Sequence, residues 1–230
     1  MRRILLIDHP VTQRRDRART HLISRGMELT DCCPGTGDGL PDPKGFDALV
    51  VYGGAEMLST DLDRPKTAYL RDELNYVKAW IETDKPYVGF CLGGQLMAAA
   101  FGAEVAPHAS GLNQIGYHDV APTAESQGFL KQPTRMYQWH QEGFGLPSGA
   151  TRLATDDDFP NQAIRLNKAF GLQYHPEVDV THYRFWMDEL PHALERPGAQ
   201  SREQQLAEAA ESDAKTARWF EDFLDDWLKL

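Results

Sequence analysis

The stretch Gly89-Phe90-Cys91-Leu92-Gly93-Gly94-Gln95 places a cysteine between the end of a short apolar strand and the start of a helix. Pro86 precedes the strand and cannot continue a helix before it. A helix is predicted over residues 92–101, with Gly102 as its C-cap. The glycines permit a sharp turn, and the positive end of the helix dipole favours an anionic sulfur at Cys91. This arrangement presents a nucleophile and indicates a cysteine-dependent enzyme.

Short apolar runs alternate with helical segments around this stretch, which is typical of a parallel α/β sheet. Residues 4–7 and 46–52 are predicted to be buried strands. Residues 14–24 and 67–83 have apolar side chains at helical spacing. Residues 34–45 are rich in Gly, Pro and Asp and are predicted to form a loop. The first half of the chain therefore predicts an open, mainly parallel sheet flanked by helices.

Between about residues 103 and 175 the pattern changes to strand-like pieces separated by turn residues. These pieces are residues 116–120, 135–139, 152–155, 162–166 and 169–174. Leu166-Asn167-Lys168-Ala169 is predicted to be the tip of a hairpin. The pattern indicates a small set of antiparallel strands added to the parallel sheet.

The chain has 230 residues, 24 Lys and Arg against 34 Asp and Glu, and a net charge of −10. This charge argues against a nucleic-acid-binding protein, which needs basic patches to neutralise phosphates. The first apolar stretch has four residues, too few for a signal sequence or a membrane span. Three cysteines cannot all pair. We therefore expect reduced thiols and a cytoplasmic location.

The C-terminal segment follows Arg196-Pro197-Gly198, and Ser201 with Gln204 is predicted to form a capping box. Beyond it, apolar side chains line one helical face at positions 217, 220, 224, 227 and 228. A core-facing helix is favoured over a partner-binding helix, since amphipathic helices usually bury this stripe within the domain. The predicted organisation is one domain over residues 1–185 and a helical extension over residues 186–230 packed on it.

A catalytic cysteine needs a base, and the base needs a group that orients it. His175 ends an apolar strand in Gly171-Leu172-Gln173-Tyr174-His175-Pro176-Glu177, and Glu177 can fix its tautomer. Cys91 and His175 both end strands, and the carboxyl ends of parallel strands share one edge of a sheet. We expect Cys91, His175 and Glu177 to meet there. His140, two residues from Glu142, remains open as a competing base.

Taken together, the cysteine stretch and His-Pro-Glu resemble the class I glutamine amidotransferase domain, the cysteine amidase module of GMP synthase and anthranilate synthase. The pattern G-x-C-x-G-x-Q is met at positions 89, 91, 93 and 95, and H-P-E stands at 175–177. The resemblance covers residues 1 to about 185. It implies a flavodoxin-like α/β fold, with Cys91 as nucleophile, His175 as general base and acid, and Glu177 as the orienting carboxylate.

The resemblance also implies an oxyanion hole and substrate contacts. Tyr52-Gly53-Gly54-Ala55 matches the family's Gly-Gly-Pro loop except at Ala55. The backbone N–H groups of Gly54 and Leu92 would bind the oxyanion. The residues implied to contact substrate are Gly53, Gln95, Gln141 and Glu142.

No metal and no cofactor are expected. Several of the histidines lack the ligand spacing of a zinc site. Asp156-Asp157-Asp158 is predicted to be a solvated turn rather than a metal site.

Two functions are compatible with the resemblance. One is a glutamine amidotransferase subunit that releases ammonia for a synthetase supplied in trans. The alternative is a free-standing γ-glutamyl hydrolase or peptidase that uses the same triad on γ-glutamyl amides or peptides. An inert scaffold is disfavoured because Cys91, His175 and Glu177 are all present. In either case the substrate would be glutamine or a γ-glutamyl compound, with no nucleic acid or membrane as a partner.

Overall fold

A computed structural model describes residues 2–10 and 15–229 of the chain. The strands are β1 (Arg3–Ile7), β2 (Glu28–Cys32), β3 (Ala48–Val51), β4 (Tyr87–Phe90), β5 (Val105–Pro107), β6 (Gln114–Pro122), β7 (Thr134–His140), β8 (Glu142–Phe144), β9 (Thr151–Thr155), β10 (Ala163–Leu166) and β11 (Ala169–Leu172). The helices are α1 (Arg17–Ser24), α2 (Leu58–Asp61), α3 (Tyr69–Glu82), α4 (Leu92–Ala100), α5 (Val180–Glu189) and α6 (Arg202–Trp227). Within the described residues, no helix is both long enough and apolar enough to cross a membrane.

Nine strands form one sheet in the order β2-β1-β3-β4-β11-β10-β9-β6-β7. Strands β2, β1, β3, β4 and β11 are parallel to their neighbours within this group, whereas β10, β9, β6 and β7 continue the sheet in antiparallel pairings. A separate antiparallel pair joins β5 and β8. The predicted open, mainly parallel sheet with helices on its faces and added antiparallel strands is confirmed. The strand predicted over residues 169–174 ends at Leu172 and is parallel to β4, so it joins the parallel part of the sheet.

Several boundaries differ from the predictions. The helix predicted over residues 14–24 begins at Arg17, and Arg14 lies outside the described residues. Strand β2 was not predicted, because its sequence ELTDC is short of apolar residues and it lies at the sheet edge, where most of its side chains are partly exposed. The loop predicted over residues 34–45 contains two short 3-10 turns. The hairpin tip is confirmed, since Leu166 pairs with Ala169 and Asn167 has a φ of +54°.

The inner parallel strands are buried on both faces, because a hydrophobic core lies on each side of the sheet and successive side chains point to alternate sides. Ile4 and Leu6 enter one core, whereas Leu5 and Ile7 enter the other. Helix α6 covers the first core with Phe220, Leu224 and Trp227, as predicted for a core-facing stripe. Its predicted capping box at Ser201 is also present. The division of the chain at residue 185 stays a prediction.

The register of the parallel strands places their carboxyl ends level with one another. Ile7 pairs with Val51, and Phe90 pairs with Leu172. The residues that follow these four strands therefore emerge side by side at one edge of the sheet. This edge carries the predicted catalytic residues.

Candidate active site

Cys91 occupies a sharp turn between β4 and α4, with φ of +48° and ψ of −105°. A non-glycine residue in such a conformation costs about 1–3 kcal/mol and persists only where its surroundings hold it. The Cys91 N–H donates to the Leu172 carbonyl at 2.7 Å, and the Gln95 N–H donates to the Cys91 carbonyl at 2.9 Å. Gly93 lets α4 approach β3, since a Cβ there would lie 2.3 Å from the Val51 carbonyl oxygen. The turn is thus fixed from both the strand and the helix.

His175 and Glu177 form a buried pair next to this turn. The His175 Nδ1 and the Glu177 Oε1 are 2.8 Å apart, and both side chains are almost fully buried. Burial alone would lower the pKa of His175, but the Glu177 carboxylate and a hydrogen bond with Cys91 raise it to about 10. The ring therefore carries a positive charge near neutral pH. The structure brings Cys91, His175 and Glu177 together.

Gly53 lies directly against Cys91 and His175. A Cβ on Gly53 would be 2.7 Å from the His175 Cε1 and 3.4 Å from the Cys91 Cβ. A Cβ on Gly54 would be 2.7 Å from the Leu92 Cδ2. The two residues predicted to donate backbone N–H groups to an oxyanion, Gly54 and Leu92, are therefore neighbours beside Cys91. Their role as donors stays a prediction.

The three other predicted substrate contacts lie near one another around β8. The Gln95 side-chain amide donates to the Glu142 carbonyl at 3.1 Å. The Glu142 carboxylate accepts from the Ser59 N–H at 3.4 Å and is buried. Gln141 lies half-buried in the bend between β7 and β8. Substrate binding by these residues stays a prediction.

His140, the competing base, is part of a polar layer in the protein interior. Its Nε2 lies 3.2 Å from the Gln114 Oε1 and 3.1 Å from the Gln138 Oε1. Burial and the nearby charge on His175 lower the pKa of His140 to about 3. His140 is therefore neutral, and its Nε2–H donates to these amide oxygens. This arrangement favours His175 over His140 as the base.

The same polar layer corrects the interpretation of Asp156, which is half-buried rather than fully solvated, whereas Asp157 and Asp158 are exposed as predicted. Its Oδ2 accepts from the Gln114 side-chain amide at 2.7 Å, and its Oδ1 accepts from the Phe159 N–H at 2.6 Å. Gln162 joins the layer by donating to the Gln114 Oε1 at 3.0 Å. Three consecutive aspartates suggested a solvated turn. One of them instead points inward and accepts hydrogen bonds from buried amides of β6 and of the residue before β10.

Two contacts to the Cys91 sulfur were not predicted. The Gln173 Nε2 donates to this sulfur at 3.7 Å, and the Trp139 carbonyl oxygen lies 4.0 Å from it. Gln173 is fully buried. A signal was available, because Gln173 follows β11 two residues before His175. An amide donor there stabilises an anionic sulfur.

An aromatic wall borders His175 on the side of α5. The Trp186 ring centroid lies 5.1 Å from that of His175 at an interplanar angle of 70°, an edge-to-face contact. Trp139 lies 5.6 Å from Trp186, and both indoles are half-exposed. We call Trp139 and Trp186 the indole pair. It provides apolar surface next to His175, the predicted general acid.

Two other features of the described residues concern a metal site and a large groove. Across residues 2–10 and 15–229, no group of three His, Cys, Asp or Glu side chains is arranged to hold a metal ion. A groove of about 1380 Å³ lies between residues 125–135 and α6. None of the predicted site residues lines this groove, so its size carries no argument for the site.

Comparison with known proteins gives consistent matches. The family model described as glutamine amidotransferase class-I matches residues 38–187, which is more than half of the chain. A glutamine-hydrolyzing GMP synthase subunit of Natronomonas pharaonis is 31% identical over 70% of this chain and 84% of its own length. The corresponding subunit of Archaeoglobus fulgidus is 35% identical over 59% of this chain and 68% of its own. The glutamine amidotransferase-like protein YfeJ of Salmonella typhimurium is 29% identical, and the match spans 61% of this chain and 60% of YfeJ.

Solved structures share the fold over the whole chain. A glutamine amidotransferase from Thermotoga maritima superposes with a TM-score of 0.86 and 23% identity, covering 99% of this chain and 98% of its own. One from Methylobacillus flagellatus gives a TM-score of 0.89 and 23% identity, covering 100% of this chain and 95% of its own. At this identity the likeness shows the fold alone.

Proposed function

The chain belongs to the class I glutamine amidotransferase family, and on that premise we propose that it hydrolyses the γ-carboxamide of glutamine through Cys91, His175 and Glu177. The observation that carries the proposal is the geometry at Cys91. A buried sulfur on a strained strand-to-helix turn lies beside a histidine that Glu177 holds in its charged form. Such a pair supplies a nucleophile and a proton donor in one place.

In the proposed reaction, the Cys91 thiolate attacks the γ-carbonyl carbon and the carbonyl electrons move to the oxygen. The N–H groups of Gly54 and Leu92 bind this oxyanion, and losing one such donor typically costs about 3–4 kcal/mol of transition-state stabilisation. His175 gives its proton to the leaving nitrogen, so the C–N bond breaks and ammonia departs. Water then attacks the γ-glutamyl thioester while His175 takes its proton. Glutamate leaves and the thiolate is restored.

The released ammonia would serve a synthetase supplied in trans. Support comes from the names of the relatives, which are subunits of glutamine-hydrolyzing GMP synthases. No metal or cofactor takes part in the proposed steps. A cytoplasmic location, where such a synthetase would act, belongs to the same proposal.

The indole pair favours a second candidate, a γ-glutamyl hydrolase that acts on γ-glutamyl amides or peptides. The leaving nitrogen must contact the His175 ring to receive its proton. Trp186 packs against this ring, so a substituent on that nitrogen would lie against the indoles. An apolar amine would gain contact there, whereas ammonia would not.

The two functions are separated by measuring glutamate release from glutamine and from γ-glutamyl anilide with the purified protein. We expect glutamine to be hydrolysed, and Trp186→Ala to leave this rate within about threefold. Phe185→Ala serves as the control, since Phe185 is exposed on the same helix. Anilide turnover that exceeds glutamine turnover, and that falls in Trp186→Ala only, would replace the first function with the second. Turnover of neither donor would contradict both.

A further inference from the structure

A second buried histidine–carboxylate pair lies behind the Gly53-Gly54 loop. His9 follows β1, Glu73 lies in α3, and both are almost completely buried. The His9 Nε2 is 3.3 Å from the Glu73 Oε2, and the His9 Nδ1 is 3.1 Å from the Gly53 carbonyl oxygen. None of the proposed reaction steps uses this pair.

The surroundings of the His9 ring favour its protonated form. Burial would lower the pKa of His9, but Glu73, then Glu56 and the Gly53 carbonyl, raise it to about 8. Both ring nitrogens therefore donate, one to Glu73 and the other to Gly53. A buried ion pair is often no more stabilising than apolar side chains of similar volume. The pair is therefore weak evidence of a contribution to stability.

The hydrogen bond to Gly53 fixes the direction of the next N–H group. The Gly53 carbonyl and the Gly54 N–H belong to one peptide unit, and no cis peptide occurs among the described residues. In a trans peptide these two bonds point in opposite directions. A donor that holds the Gly53 oxygen on the His9 side therefore turns the Gly54 N–H away from His9.

The surroundings of this peptide show why a restraint is needed. Two consecutive glycines leave the loop without side chains that would restrict its backbone. A Cβ on Gly54 would lie 2.9 Å from the His9 Cγ and 2.7 Å from the Leu92 Cδ2, so the loop is in close contact with the imidazole on one side and α4 on another. The His9 ring holds the Gly53 oxygen in this contact.

We propose that His9, held by Glu73, is a positioning residue that orients the Gly53–Gly54 peptide so that the Gly54 N–H faces the oxyanion formed at Cys91. This inference rests on the proposed function, because it assigns an oxyanion donor for amide hydrolysis. His9 also polarises the peptide through its charged hydrogen bond, which strengthens donation by the Gly54 N–H.

The test compares His9→Leu, which removes the donor, with His9→Asn, whose side-chain amide replaces the Nδ1–H. We expect kcat for glutamine hydrolysis to fall roughly 10²- to 10³-fold in His9→Leu, with KM within about threefold, because oxyanion contacts form only in the transition state. His9→Asn should recover at least about tenfold of that loss. His192→Leu is the control, since His192 is exposed.

A crystal structure of each variant supplies a readout that needs no activity. The Gly53–Gly54 peptide should be rotated in His9→Leu and should keep the wild-type direction in His9→Asn. An unrotated peptide, or an unchanged kcat with a rotated one, would overturn the inference. A fall in kcat that comes with a rise in KM and a lower melting temperature, and that His9→Asn does not rescue, would also overturn the inference. If His9→Leu does not fold, the same comparison is made between Glu73→Leu, which removes the carboxylate that holds the His9 ring, and Glu73→Gln, which can keep a hydrogen bond to it. A wild-type protein that hydrolyses no γ-glutamyl donor contradicts the proposed function, while the peptide direction still decides this inference.

Discussion

Gly53→Ala tests the close approach of Gly53 to His175 and Cys91. The added Cβ would lie 2.7 Å from the His175 Cε1, whereas carbon atoms pack at about 3.5–4.0 Å. The ring cannot move freely, because its Nδ1 is paired with Glu177 and its plane packs against Trp186. The backbone itself tolerates alanine, since Gly53 is not among the described residues with positive φ.

The size of the expected effect follows from the overlap between the added Cβ and the His175 Cε1. Relief requires a displacement of about 1 Å between the loop and the His175 ring, and a misplacement of this size can cost about 10²-fold in rate. We therefore expect kcat to fall about 100-fold. The free energy of unfolding should change much less, because the overlap lies at the site and not in the core.

The assay is steady-state glutamate release, followed together with thermal unfolding. The matched control is Gly39→Ala, because a Cβ on Gly39 meets nothing within 4 Å and Gly39 has no positive φ. It should have wild-type kinetics. A Gly53→Ala protein with wild-type kcat would refute the reasoning, since His175 would then not need its observed position.

Two further predictions concern pH. The pKa of His175 rises from 6.5 to about 10 on folding, so its contribution to stability is complete below pH 6.5 and is lost as the pH rises towards 10. In Glu177→Gln the melting temperature should depend less on pH over that window. This substitution should also lower kcat roughly 10²- to 10⁴-fold. A melting temperature that falls with pH as steeply as in the wild type would contradict this. The pKa of His140 falls from 6.5 to about 3, so unfolding takes up a proton in acid and stability declines as the pH drops from 6.5 towards 3. His140→Gln should remove that part of the acid sensitivity, as measured by urea unfolding at pH 4 and pH 7, and equal losses in both proteins would contradict it.

Much of the fold could be predicted because buried parallel strands carry continuous apolar runs. The strand over residues 87–90 was predicted at its observed limits, since Pro86 and the glycine-rich turn bound it. Edge strand β2 was missed because its pairing with β1, rather than its composition, makes it a strand. Strands β5 and β8 have three residues each, too few for any period to show.

The position of the candidate site could be predicted from the rule that the carboxyl ends of parallel strands share one edge of the sheet. Because Cys91 and His175 were each predicted at the carboxyl end of a strand, their meeting could be expected before any distance was known. In the structure Cys91 follows β4 directly, His175 lies three residues beyond β11, and the two strands are neighbours. The polar layer around His140 could not be expected, since its glutamines come from β6, β7 and the residue before β10, and only tertiary pairing explains why they are buried. His9 and Glu73 are separated by 64 positions and share no sequence pattern.

The proposed chemistry depends on the formation of a covalent intermediate on Cys91. The protein is mixed with saturating glutamine, quenched in acid within milliseconds to seconds, and measured by intact mass and peptide mapping. A γ-glutamyl adduct should appear on the peptide that contains Cys91 and be absent from Cys91→Ser. Glutamate release without this adduct in any quench, or an adduct on Cys32 or Cys33 instead, would contradict the proposed mechanism.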